Sequence, residues 1–239
     1  MILLIKSEWI KLRSVRSTVV LFGIAMLACV GIAVAAGIKT DENSIVDNSL
    51  GGVHLTGILF LVIGVQIIGQ EFRFQTIKTT FSAVPRRGRV VIAKAIVTVT
   101  TAAVSTAIAI ALAVPASAMI ATHRGYHVIL SNHETWRIVI GTWLTVVVLA
   151  VFGFGIGCAL KQPVAGIVVA LVWATLGEGL VGSIFHSTER WLPINALHNA
   201  YDNFSDPSRL QWYRGLLYCG GVGVAMAIIG AIRIAKTDA

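Results

Sequence analysis

Six stretches of this 239-residue chain are each long and apolar enough to cross a bilayer: Thr18 to Ile38, Leu50 to Gln70, Val90 to Ala121, Arg137 to Leu160, Val164 to Ile184 and Tyr213 to Ile234. A spanning helix needs about 20 predominantly apolar residues. The chain therefore reads as an all-α membrane protein with six transmembrane helices in one domain over residues 1–239. Its charge content excludes an ordinary soluble domain, because only 13% of residues are charged and 56% are hydrophobic, against roughly a quarter charged in soluble domains. The third window is long enough to project beyond the bilayer at its basic end, and Pro115 is placed to kink it near the other.

Lysine and arginine set the orientation. With both termini cytoplasmic, only Lys39, Arg124, Arg137, Arg190, Arg209 and Arg214 of the 19 basic residues fall outside. The net charge of +8 then faces the anionic inner leaflet, since the basic residues cluster beside apolar spans, and nucleic acid is not the expected partner. The opening MILLIKSEWIKLRSVRS lacks the order of a signal peptide: its charges follow its first apolar residues, and no small-residue cleavage site comes after. Ile2, Ile5, Trp9 and Leu12 recur at helical spacing, so residues 1–17 are expected to form an amphipathic interfacial helix.

Between the second and third windows the chain carries GQEFRFQTIKTTFSAVPRRGRVVIAKA, Gly69 to Ala95. Phe74, Ile77, Phe81 and Val84 follow i, i+3, i+7, i+10, which gives a helix one apolar face, and Pro85 ends it. A short helix along the cytoplasmic surface follows over the 71–89 loop, its end held at the headgroups by Arg86, Arg87 and Arg89. Elsewhere, Gly153 and Gly157 form a G-x-x-x-G in the fourth span, and Gly223, Ala227 and Ala231 a small-residue stripe in the sixth. Both permit close helix approach.

The Gly69 to Ala95 segment resembles the coupling-helix region of bacterial type 2 ABC permeases, the membrane subunits of type V ABC exporters. The matching positions are Gly69, Glu71, Phe72, Arg73, Thr76, Pro85, Arg86, Arg87 and Lys94. The N-terminal KSEWIKLRSVRS, the six spans and the element WLPINAL, Trp191 to Leu197, extend the likeness over most of the chain. One departure is Lys78 after Thr76 and Ile77, where related chains often carry a small residue or another threonine. The resemblance implies that Glu71, Phe72, Arg73, Thr76, Ile77, Phe81, Arg86 and Arg87 dock two cytoplasmic ATPase subunits, with Glu71 and Arg73 making charged contacts and Phe72 anchoring the turn. It also implies a second permease chain, identical or sibling, and ATP and Mg bound by the ATPase partner. This chain is expected to bind no cofactor itself, because none of its Lys-Thr pairs sits in a phosphate-binding loop. The implied activity is export of a hydrophobic or amphipathic substrate, such as a drug, antimicrobial peptide or lipid, from the bacterial cytoplasmic membrane.

An ionisable side chain within a span is expensive, which singles out Glu178 in ATLGEGLVGSIF. Gly177 and Gly179 beside it suggest a break, and the resemblance places short re-entrant outer helices over 177–211, with Glu178, Phe185, Trp191 and Pro193 near an outer gate. The alternative for Glu178 is an acid satisfied by a neighbouring helix terminus or an arginine. Cys29, Cys158 and Cys219 lie in apolar runs and read as small buried hydrophobes. His186 and His198 are too widely spaced for a helical metal pair, the denser His123, His127 and His133 read as part of a polar loop, and Trp136, Trp143, Trp191 and Trp212 suit an interfacial belt. Two other functional classes compete: a passive channel or sensor subunit, and an intramembrane hydrolase built on Ser183, His186 and Glu178. The hydrolase lacks a nucleophile elbow.

Overall fold

The computed structural model describes residues 1–14, 16–39, 45–77, 80, 87–126, 133–201 and 209–237. Its helices are α1 (Ile2–Ser14), α2 (Arg16–Lys39), α3 (Ile45–Arg73), α4 (Arg87–His123), α5 (His133–Leu160), α6 (Pro163–Val172), α7 (Glu178–Ile184), α8 (His198–Tyr201) and α9 (Trp212–Thr237). No strand occurs among the described residues. Six spans result, Phe22–Lys39, Asn48–Arg73, Gly88–His123, His133–Leu160, Pro163–Ile184 and Trp212–Ile234, each overlapping one of the six sequence windows. At 37 residues, α4 is about 55 Å long, well beyond the roughly 30 Å of hydrocarbon. It continues as helix through Pro115.

The fifth span departs from the expected break. Instead of interrupting the helix at Gly177, the chain widens into a π-turn over Trp173–Gly177 that joins α6 to α7. The Glu178 N–H reaches back to the Trp173 carbonyl, so the backbone stays bonded where hydrocarbon offers no substitute partner. Val164, Val168, Val172, Leu176 and Leu180 form an exposed apolar stripe along this unit. Beyond α7, two 3-10 turns, His186–Trp191 packed on α7 and Asn195–Leu197 packed on α9, lead into α8, which packs against α5 and α9.

The bundle is organised around α5, which packs most extensively on α3 and next on α9. Lipid tails are as apolar as leucine, so span association relies on close packing and small residues. A β-carbon at Gly153 would collide with the Leu61 carbonyl, and one at Gly64 with the Ala150 carbonyl. Gly157 meets Val65 and Ile68 in the same way, so the G-x-x-x-G of the fourth span is used inside the chain, against α3. On the opposite side Gly223 of α9 rests on the Phe152 backbone. One core, including Phe60, Ile63, Ala102 and Val146, joins α2, α3, α4 and α5; a second, including Val65, Phe152, Ala170 and Cys219, joins α3, α5, α6 and α9. All three cysteines are buried and free. Trp143 sits within α5 and donates its indole N–H to the Ala103 carbonyl of α4 at 2.8 Å.

Gly153→Ala should cost about 1–3 kcal/mol, because the atoms it strikes are backbone and cannot swing aside. Gly221→Ala, with open space around it, should be neutral or slightly stabilising. Thermal unfolding of both variants in detergent separates the two outcomes.

Candidate functional site

At the end of the bundle where α3 stops and α4 begins, α1 packs against α4 and α2. Its buried residue is Glu8, while Ile2, Leu3 and Ile10 are exposed. Glu8 and Lys11 lie three residues apart on one helical face and turn toward the spans. Two further charges meet them. Lys94, in the third turn of α4, is almost fully buried, and Glu71 lies in the last turn of α3.

These four side chains form a closed ring. Lys94 Nζ lies 2.6 Å from Glu8 Oε2 and 2.8 Å from Glu71 Oε1. Lys11 Nζ lies 2.8 Å from Glu8 Oε1 and 3.0 Å from the same Glu71 Oε1. Each lysine bridges both glutamates, so α1, α3 and α4 are tied at one point. Burial alone would push the Glu8 carboxyl up, but the Lys94 charge and hydrogen bonds from Lys11 and Lys94 outweigh it and hold the group below 4.5. For Lys11, burial alone would lower the ammonium, and hydrogen bonds to Glu8 and Glu71 raise it above 10.5. One acceptor is left over: Glu71 Oε2 is buried and has no hydrogen-bond partner among the described residues.

The helix α3 ends two residues after Glu71, at Arg73. Gln75 adopts a left-handed conformation, φ 54°, which resets the helical register before Thr76 and Ile77. Phe74 therefore falls in the turn and is exposed, while Ile77 is buried, and the two do not share the single apolar face that their spacing suggested. Phe72 packs on the cluster of Ile68, Phe154 and Ile234, with the Lys161 ammonium 5.8 Å from its ring centroid. Lys161 is itself left-handed, φ 56°, and ends α5 beside it. Arg73 and Thr76 are exposed, with the Arg73 guanidinium 5.6 Å from the Phe74 ring. Phe81, Val84, Pro85 and Arg86 lie outside the described residues, and Arg87 opens α4. Beside the ring, a cleft of ≈ 750 Å³ opens between α1, α3, α4 and α6.

At the opposite end, Glu178 is buried and accepts hydrogen bonds from Trp173 Nε1 at 3.0 Å, Ile194 N at 2.8 Å and Asn195 N at 2.6 Å. The carboxylate thus caps the Asn195–Leu197 turn, a neighbouring helix terminus. Phe185 and Trp191 are exposed, Pro193 is half-buried, and the Trp191 carbonyl accepts from the Tyr218 hydroxyl at 2.8 Å. Ser183 donates to its own helix at Leu180, so the oxygens of Glu178 and the hydroxyl of Ser183 serve different partners.

A family model described as ABC-2 family transporter protein matches residues 4–177. The chain belongs to the ABC-2 transporter family. No curated protein matches it. The matched region holds all four members of the ring in this ABC-2 membrane protein, from Glu8 on α1 to Lys94 on α4.

Three of those members, Glu8, Lys11 and Lys94, carry no site role in the sequence reading. Lys94 entered it only as a position of the family likeness, at the start of the third span. Glu8 was legible only as the acid in an otherwise basic helix, and nothing in the sequence pairs it with a lysine 86 residues away.

Replacing Lys94 by Met leaves two buried carboxylates facing one partly exposed lysine, and should destabilise the protein by about 3–5 kcal/mol. Adding Glu8→Gln should restore part of that loss in the same unfolding measurement. The ring also fixes a pH response. A carboxyl held below its ordinary value stabilises fully above pH 4.5 and loses that contribution as pH falls through the lowered value. An ammonium held above its ordinary value stabilises fully below pH 10.5 and loses its contribution as pH rises through the raised value. The margin in unfolding temperature between wild type and Glu8→Gln should be flat across neutral pH and shrink below pH 4.5.

Proposed function

We propose that this ABC-2 membrane protein is the permease subunit of an ATP-driven exporter, working with two cytoplasmic ATPase subunits and a second permease chain. Both termini face the cytoplasm in this reading, and the substrate is a hydrophobic or amphipathic compound leaving the membrane. Family membership supports transport over a passive channel or a hydrolase. The segment from Arg73 through Thr76 to Arg87 is the docking surface, with exposed Arg73 and Phe74 at its edge.

The observation that carries the reading is the position of Glu71. It sits in the last turn of α3, two residues before the docking segment begins at Arg73, and is bonded to α1 and α4 together. Its role is to relay motion inward, while Arg73 makes the direct contact. At the outer end, Glu178 fixes the 177–211 segment, and Phe185, Trp191 and Pro193 border the exit.

Reconstitution with a partner ATPase tests the division of labour. Wild type should stimulate ATP turnover, Arg73→Glu should lose capture of the ATPase, and Glu71→Gln should retain capture but lose stimulation. Capture and stimulation by Arg73→Glu at wild-type levels would remove the docking assignment.

A further inference from the structure

The cleft beside the charge ring has the size and lining of a ligand site. Its ≈ 750 Å³ lies within the range of pockets that hold small molecules, which run to about 1,000 Å³. Polar groups gather at one end, where Glu71, Lys11 and Arg73 line it, and Ile63, Val97 and Ile167 line it elsewhere. Along α3 the wall runs from Glu71 to Ile63, about 12 Å at the helical rise. A polar end joined to a mostly apolar wall between spans, Ile63, Ile67, Val97 and Ile167 with Gln66 among them, suits an amphiphile, with its head at the ring and its chain along α3, α4 and α6.

The ring specifies which head. Both lysines already bridge both glutamates, so the cations are matched. The unmatched group is an acceptor, Glu71 Oε2, buried without a hydrogen-bond partner among the described residues, on a residue that lines the cleft. An orphaned carboxylate oxygen calls for a donor that carries positive charge, because a charge-assisted hydrogen bond is stronger than a neutral one. The rim supplies the opposite sign: Lys11 is half-exposed and Arg73 exposed, both able to face a phosphate. A zwitterion whose ammonium sits inside and whose phosphate sits at the rim satisfies both.

We propose that this cleft binds an aminophospholipid, with the primary ammonium of a phosphoethanolamine head on Glu71, its phosphate toward Lys11 and Arg73, and an acyl chain along Ile63 and Ile167. A quaternary choline head cannot donate the hydrogen bond, and a glycerol head lacks the charge. The site stands whether or not the chain drives transport, because binding requires no ATPase.

The purified full chain is titrated with short-chain phosphatidylethanolamine, phosphatidylcholine and phosphatidylglycerol, and retained lipid is counted by native mass spectrometry. The ethanolamine lipid should bind about tenfold more tightly than the choline lipid, the size of one charge-assisted hydrogen bond. Glu71→Gln should erase that preference. Since that change also disturbs the ring, Val164→Trp provides a second test: Val164 is exposed, lines the cleft from α6 and is not a member of the ring, so its replacement should block binding while the four ring side chains keep their partners. Soluble phosphoethanolamine should not compete at equal concentration. Equal binding of the three lipids, preference for the glycerol lipid, competition by the soluble head, or an ethanolamine preference that survives Val164→Trp would each overturn the proposal. Equal lipid binding combined with lost ATPase capture in Val164→Trp would assign the cleft to a partner's side chain instead.

Discussion

The structure depends on four charges, three of them, Glu8, Glu71 and Lys94, buried where water is scarce. Taking an ion out of water costs several kcal/mol, and the cost is offset only when partners are close and well oriented. Glu8, Lys11, Glu71 and Lys94 meet that condition together: no pair among them completes the arrangement, because each carboxylate receives both ammonium groups. The consequence is mechanical. An amphipathic helix and the ends of two spans cannot separate without leaving a charge unpaired, so the ring acts as a joint between α1, α3 and α4.

Around that joint, packing divides the bundle into a rigid centre and an open periphery. The α5 helix carries glycines on two sides, Gly153 and Gly157 toward α3 and Gly155 toward α9, and the backbones approach until no β-carbon fits. The unit from Pro163 to Ile184 makes fewer contacts and turns its valines and leucines outward. Its π-turn precedes Glu178, which reaches across to cap the Asn195–Leu197 turn. Both ends of the protein thus use a carboxylate to fix a short segment against the spans, a ring of ion pairs at one end and a helix cap at the other.

Much of this was legible in the sequence. Six apolar runs of spanning length identify the spans to within a few residues, because hydrocarbon permits few alternatives to a helix of that length. The G-x-x-x-G gave the close approach, though not that its partner is α3 of the same chain. Glu71 stood out by position, yet its burial did not, because a residue at the end of a span is equally suited to face outward. The partners of Glu71, Lys11 and Lys94, come from two separate parts of the chain, and pairing at that distance leaves no periodic trace. Likewise the left-handed Gln75 escaped notice, since glutamine carries no turn signal and the apolar spacing ran smoothly past it.

The central claim is that the ring makes α1 and α4 one mechanical unit. The most direct measurement is the distance between spin labels at Lys6→Cys on α1 and Arg89→Cys on α4, both exposed positions, in wild type and in Lys94→Met. The account predicts one narrow distance in wild type, with and without an ATP-loaded partner, and a broad distribution once Lys94 is lost. A distribution that is broad in wild type, or one that stays narrow in Lys94→Met, would contradict it.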